Sequence, residues 1–344
     1  MSDLSIIPLP TDLEESWDEY VNDHNNGTFF HLSKWRNVLE SSLGHKTYYV
    51  CAMTGEHIVG VLPLCHVKSL LFGNTLCSTP FSVYGGPLAD SSAIRDALLD
   101  YAKKTATNLN VDVLEIRNQG EAIEGWETKD LYVTFRKEIS DDDEENMKAI
   151  PRKQRAMVRK GIKAGLHSVI DNNVDDFFQA YSESVRNLGT PVFPKRYFKA
   201  LLEEFSDSID ILTVRSKENE LVASVMSFYY KDEVLPYYGG GTYLARNLKG
   251  NDFMYWDLMC HAVRKGVRIF DYGRSKQGTG SYSFKKNWGF EPKKMGYSYY
   301  LVKATELPDI NPLNPKYQMF IKTWKKLPLS VANFIGPFLA RNLG

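Results

Sequence analysis

The sequence predicts a duplicated α/β domain on three observations: a length of 344 residues, four motif blocks that recur in one order, and similar apolar runs around each block. A single hydrophobic core stops growing well short of this length, so two domains are the natural division. Phe30, Trp35 and Leu39 stand 163 residues before Phe193, Phe198 and Leu202, and the same offset sets Ile58–Leu64 on Leu221–Ser227. Val83-Tyr-Gly-Gly86 falls on Tyr237-Tyr-Gly-Gly240 at an offset of 154, and Val111–Ile116 on Val267–Tyr272 at 156. Repetition at near-constant spacing means one structural plan used twice.

The elements follow in order within each copy. A helix comes first, around Ser33–Glu40 and around Lys195–Glu204. Apolar runs joined by Thr54-Gly-Glu-His57 and Lys217-Glu-Asn-Glu220 read as strands of a meander. The Tyr-Gly-Gly turn follows, then a long helix (around Ala93–Asn108; around Asp252–Lys265) and one more buried strand. A meander followed by a helical crossover gives a mixed sheet with helices on its faces. The expected boundaries are 1–139 for the first domain, 140–165 for a basic linker helix region, 166–305 for the second domain and 306–344 for a C-terminal tail.

Composition narrows the function. Forty-two basic residues balance 42 acidic ones, which argues against a general polyanion binder while leaving local basic patches open. Cys51, Cys65, Cys77 and Cys260 form no CxxC pair and have apolar neighbours, so they read as reduced core thiols of a cytoplasmic protein. The first residues lack the basic region and apolar run of a signal peptide. The uncharged stretch Ser69–Ala89 has too many Gly, Pro, Ser and Asn residues for a membrane helix, so the protein is expected to be soluble. There is no GxSxG, HExxH or P-loop, and no metal site is expected.

Between the copies, the acidic run from Ser140 carries a helix start signal. Pro151 then opens a basic helix, where it stands at the first helical position. Arg152, Arg155, Arg159 and Lys163 share one face beside an apolar stripe of Val158, Ile162 and Leu166. That face is either solvated or a seat for phosphate.

The chemistry is expected after the last strand of the second copy. Phe270-Asp-Tyr-Gly-Arg-Ser-Lys276 runs from a buried strand into a Gly/Ser/Thr loop, followed by a short helix with Phe284 and Trp288 four apart. Polar groups at the carboxyl edge of a buried strand are where open α/β sheets bind ligands. The first copy has no such loop, since Arg117-Asn-Gln-Gly-Glu follows Ile116. The second copy is therefore the candidate active one.

The meander, long helix and strand, with the closing Phe284-Lys-Lys-Asn-Trp-Gly-Phe-Glu291, resemble the GNAT N-acyltransferase fold. Two such domains, with the basic segment Arg152-Lys-Gln-Arg155 opening the second, resemble the FemABX aminoacyltransferases. The nearest resemblance is to the FemAB-like proteins of PEP-CTERM/exosortase exopolysaccharide systems. It covers roughly residues 25–300 and implies two tandem GNAT-like domains.

The resemblance also implies roles. Lys285 matches the lysine of the family's Phe-Lys motif and would stabilise the tetrahedral centre formed when an amine attacks an acyl carbon. Asp90, after Tyr84-Gly-Gly-Pro, would orient the amine, and Asp271 completes the candidate catalytic set. Lys34, Trp35, Tyr84, Arg152, Arg155, Arg159, Tyr238, Arg274 and Tyr282 are the expected substrate-binding residues. The acceptor implied is an amine-bearing precursor, nucleotide- or lipid-linked. The GNAT fold takes its acyl donor where two parallel strands part, with pyrophosphate at a helix N-terminus. Here that helix begins at Gly250-Asn-Asp252, and an acid there would repel pyrophosphate. No cofactor is thus certain. The donor is aminoacyl-tRNA or acetyl-CoA, and a charged tRNA is a possible partner. The alternatives are a CoA-dependent N-acetyltransferase of exopolysaccharide synthesis and a non-catalytic binder of glycan or lipid-linked sugar.

From Ile310 to Gly344 there is no Asp or Glu, while Lys316, Lys322, Lys325, Lys326 and Arg341 alternate with aromatic and aliphatic residues. Such a tail either docks on the enzyme body or lies on the inner face of the cytoplasmic membrane as a peripheral anchor.

Overall fold

A computed structural model describes residues 4–69, 72–307 and 315–343. They form two compact units: the first holds a four-stranded antiparallel sheet and a six-stranded mixed sheet, the second a seven-stranded mixed sheet, with helices packed on them. The first unit opens with β1 (Leu4–Pro8), α1 (Glu14–Asp23) and α2 (Trp35–Leu43). Its meander is β2 (Lys46–Thr47), β3 (Val50–Thr54), β4 (His57–Leu62), β5 (Leu64–Ser69), β6 (Gly73–Ser78) and β7 (Leu88–Ala89). Then come α3 (Ser92–Asn108), β8 (Val113–Asn118) and β9 (Glu127–Thr128). The Ser91 side chain caps α3 by accepting from the Ile94 N–H.

The second unit contains β10 (Tyr132–Glu138), α4 (Asp143–Ala149), α5 (Arg152–Lys163), β11 (His167–Ile170), α6 (Val174–Leu188) and α7 (Lys195–Glu204). Next are β12 (Ile209–Arg215), β13 (Leu221–Tyr230), β14 (Glu233–Gly241), α8 (Tyr243–Leu248), α9 (Gly250–Arg264), β15 (Ile269–Lys276), α10 (Gly280–Asn287) and β16 (Pro292–Lys294). The chain continues through β17 (Gly296–Leu301), α11 (Pro315–Trp324) and α12 (Leu329–Ala340). Among the described residues no helix is long and apolar enough to cross a membrane.

Each copy hands its last long strand to the other sheet. In the second unit the order is β11-β12-β13-β14-β15-β10-β16, so β10 lies antiparallel beside β15 with Arg136 opposite Asp271. In the first unit β17 takes the corresponding place beside β8, within the order β2-β5-β6-β8-β17-β9. The compact units are therefore 1–130 with 295–310 and 341–344, and 131–294 with 311–340. A division at 139/140 assigns β10 to the first domain, whereas its hydrogen bonds place it in the second sheet.

The repeat holds in the ladders, with two local differences. The β13 strand runs unbroken for ten residues, but in the first copy Pro63 separates β4 from β5, and they enter different sheets. Proline has no N–H to give a ladder, so a strand is interrupted there. Gly60 pairs with Ala89 and Ala223 with Gly241, so the ladder aligns Leu88-Ala89, rather than Gly85-Gly86, with Gly240-Gly241.

The second core gathers Phe135, Val158, Val225, Met254, Phe270, Tyr272, Trp288 and Phe290. The basic helix α5 packs on α9 through Val158 and Gly161, both buried. A Cβ on Gly161 would stand 2.8 Å from Phe253 Cβ, so only glycine permits this approach. Ile162, expected on the apolar stripe, is instead 47% exposed. Val158 and Leu166 of that stripe are buried, and Gly161 rather than Ile162 is buried between them.

Candidate active site

The parallel pair β14 and β15 is joined only through Glu233 with Ile269 and Val234 with Phe270. Beyond those residues the strands part. A register shift against β13 leaves Tyr237 as an extra residue in β14, and such a bulge bends a strand. After the bend β14 stays with β13 as far as Gly241, while β15 stays with β10 as far as Lys276. Asp271 lies at the vertex of this opening. It is fully buried, and its Oδ1 accepts from the Gly273 N–H at 2.7 Å and from Thr134 Oγ1 at 3.4 Å.

Lys285 approaches from α10, which Thr279 caps by accepting from the Tyr282 N–H. Its side chain is only 9% exposed. The ammonium donates to three successive carbonyls of β15: Tyr272 at 2.6 Å, Gly273 at 3.0 Å and Arg274 at 3.0 Å. Three N–H groups meet three acceptors, so the lysine fastens the strand edge at the opening. Burial pulls its ammonium down to about 7, against the nearby Asp271 carboxylate, which favours the charged form.

The exchanged strand β10 completes the wall. Phe135 lies 5.6 Å from Lys285 Nζ and packs edge-on to Tyr282, while Tyr132 lies under the Arg274 guanidinium at 4.9 Å. Thr134, Phe135 and Tyr132 were invisible to sequence reasoning, because they precede the expected start of the second domain. Asp271, Arg274, Tyr282 and Lys285 were expected together, and the structure brings them together.

Other expected residues are placed differently. Trp35 and Tyr84 are 0% and 2% exposed within an aromatic core that contains Phe30. Tyr238 is 5% exposed, and its hydroxyl shares a hydrogen bond with that of Tyr197 at 2.9 Å. These three side chains fill cores. Lys34 is exposed at the start of α2, and Asp90 is exposed with Oδ1 accepting from Tyr20 Oη at 2.8 Å. Arg152 and Arg159 are exposed on α5, and Arg155 is half-buried. Asp252 accepts from Gln154 on α5 and titrates above the usual carboxylate range because it is buried. The acid expected to repel pyrophosphate is thus bound to a neighbouring helix. Among the described residues no group of three His, Cys, Asp or Glu side chains could hold a metal ion.

In the first copy the chain itself binds at the equivalent strand edge. The β6 and β8 strands pair in parallel through Cys77 and Glu115, and then Arg117 takes over. Its carbonyl accepts from the N–H groups of Gly85 and Gly86, and its guanidinium donates to Ser82 O and Glu115. At the repeat offset Glu115 stands where Asp271 does and Arg117 where Gly273 does. In the first copy the N–H groups of Gly85 and Gly86 take the carbonyl that corresponds to Gly273 O, which Lys285 takes in the second.

Residues 152–286 match the acetyltransferase (GNAT) domain family. This stretch is a GNAT-type domain. A crystal structure of FemX superposes with a TM-score of 0.68 at 16% identity, covering 92% of this chain and 100% of that one. A tandem GNAT protein from the clavulanic acid biosynthesis pathway gives 0.53 at 11% identity, covering 88% and 100%. The C-terminal domain of a putative lysylphosphatidylglycerol synthetase from Agrobacterium fabrum gives 0.56 at 12%, covering 85% and 92%. At such identities the likeness is one of fold: two GNAT-like units in tandem. No curated protein matches the chain. The GNAT match covers the stretch that holds Asp271 and Lys285.

Proposed function

We propose that the chain is an N-acyltransferase of FemX type, passing an acyl or aminoacyl group to an amine on a cell-envelope or exopolysaccharide precursor. The observation that carries this reading is the opening between β14 and β15, with Asp271 at its vertex and Lys285 fastened along its edge. The amine nitrogen attacks the acyl carbon, the bond to the donor oxygen or sulfur breaks, and the amine loses a proton. Charge on the acyl oxygen grows near a buried cation whose own hydrogen bonds hold the strand edge rigid. Fixed positive charge at a water-poor site stabilises such an anion by several kcal/mol in favourable cases.

In this reading the acceptor is a nucleotide- or lipid-linked amino sugar of the kind an exosortase-type exopolysaccharide system would use. Arg152, Arg155 and Arg159 supply cations for its phosphates. A peripheral position on the inner face of the cytoplasmic membrane belongs to the same reading. The name of one structural neighbour, a lysylphosphatidylglycerol synthetase, couples an amino acid to a lipid and supports both parts.

The donor is an aminoacyl-tRNA or acetyl-CoA. The pairing of Asp252 with Gln154 supports the second option, since the acid is spent on α5. Titration calorimetry with acetyl-CoA and free CoA, followed by transfer assays from aminoacyl-tRNA to glucosamine-type amines, tests the proposal. One-site heat with acetyl-CoA selects the CoA donor. No heat but transfer from aminoacyl-tRNA selects the other. Neither heat nor transfer would leave a glycan-binding role in its place.

A further inference from the structure

Helix α12 is turned inside out. Its buried positions are Ala332, Gly336 and Ala340, four residues apart, with Gly336 against the backbone of Val192 and Asn333 donating to Ser182. Its large apolar residues point the other way. Val331, Phe334, Ile335 and Phe338 are 38%, 75%, 39% and 65% exposed, at the spacing of a single helix face. A helix of a water-soluble surface normally buries such residues. α11 adds Met319 and Phe320, exposed by 72% and 39%, with Phe320 stacked on the buried Trp324. Leu188 extends the apolar surface: it is 66% exposed and adjoins Gly189, against which Ile321 packs.

Charge indicates what covers this surface. Lys322, Lys325 and Lys326 are exposed along it, and no acidic residue occurs between Ile310 and Gly344. A second copy docked by two-fold symmetry would set these lysines against their own kind. An anionic bilayer would meet them with opposite charge. The twelve residues of α12 are too few to span a bilayer but long enough to lie in its interface.

We propose that α11 and α12 form a membrane-docking face. Phe334, Phe338 and Met319 enter the acyl boundary of an anionic leaflet, and Lys322, Lys325 and Lys326 engage its headgroups. The tail thus both docks on the enzyme body, through its small residues, and presents its large ones to lipid. This inference rests only on the membrane part of the proposed function, and transfer to a soluble amine reports on the chemistry separately.

The test is co-sedimentation of the full chain with vesicles of phosphatidylcholine, with and without phosphatidylglycerol. The expected result is binding that needs the anionic lipid and weakens with salt. A Phe334→Ser/Phe338→Ser variant should bind about tenfold more weakly. Lys322→Glu/Lys325→Glu should lose the salt-sensitive part, roughly fivefold per lysine. All four positions are exposed, so circular dichroism and melting temperature should stay at the parent values. Failure of the parent chain to bind anionic vesicles, or unchanged binding by the phenylalanine variant, overturns the inference. A concentration-dependent dimer abolished by that variant would also overturn it, assigning the face to a second copy.

Discussion

Lys285 Nζ donates to the Tyr272 carbonyl at 2.6 Å, the shortest of three bonds that tie α10 to the end of β15. The lysine expected from sequence to contact the reacting acyl group has its N–H groups committed to main chain. Its influence on the reaction is therefore exerted through charge and through the position of the strand edge. Lys285→Met keeps the length of the side chain but orphans three carbonyls, at a cost of about 1–3 kcal/mol. Chemical denaturation should show that loss, and transfer activity should fall by about a hundredfold or more.

The same lysine sets a pH dependence. Its folded-state value lies near 7, below the ordinary 10.5, so the unfolded chain binds the extra proton between those limits. Stability should therefore rise with pH through that window and carry the full penalty of the buried charge below it. Thermal melts of the parent chain and Lys285→Met across the window check this. The variant should show the shallower rise.

Asp271→Ala removes the acceptor of the Gly273 N–H at the vertex and should cost about 2 kcal/mol. Asp271→Asn keeps an oxygen acceptor and the side-chain shape. It should fold close to the parent while losing turnover, with the change in kcat rather than KM. Equal losses in kcat and stability for both variants would confine Asp271 to the fold.

Asp252 is buried and its carboxyl titrates above the ordinary range, so the folded state holds its proton more tightly than the unfolded one. This group subtracts stability as pH rises through that shift, and Asp252→Asn should be neutral or slightly stabilising at pH 7. Because the carboxylate faces Gln154, removing it should leave acetyl-CoA binding as found in the parent. A gain of CoA heat in the variant would show instead that the acid faces the donor.

A Cβ on Gly240 would fall 2.6 Å from Ser184 Cβ and 2.9 Å from the Ala180 carbonyl, both on α6. Gly240→Ala should therefore push α6 from β14 and cost about 1–3 kcal/mol, read as a lower denaturation midpoint with unchanged slope.

Much of this protein was legible in the chain itself. The repeat, the helices around Lys195–Glu204 and Ala93–Asn108, and the strand ending in Asp271 follow from apolar periodicity and turn chemistry, which act over a few residues. The grouping of Asp271, Arg274, Tyr282 and Lys285 followed as well, because fifteen consecutive residues of one strand, loop and helix carry all four. Tertiary structure alone decided which sheet receives β10, and with it the arrival of Thr134 and Phe135 at the site. An apolar strand can pair with any edge of matching register, so local pattern is silent about the choice. Tertiary structure also decided that Arg117 binds its loop in the first copy, that Asp252 faces Gln154, and that α12 shows its phenylalanines to the outside. In each case two readings have the same sequence spacing, and the choice between them belongs to the packing partner that the fold brings against it.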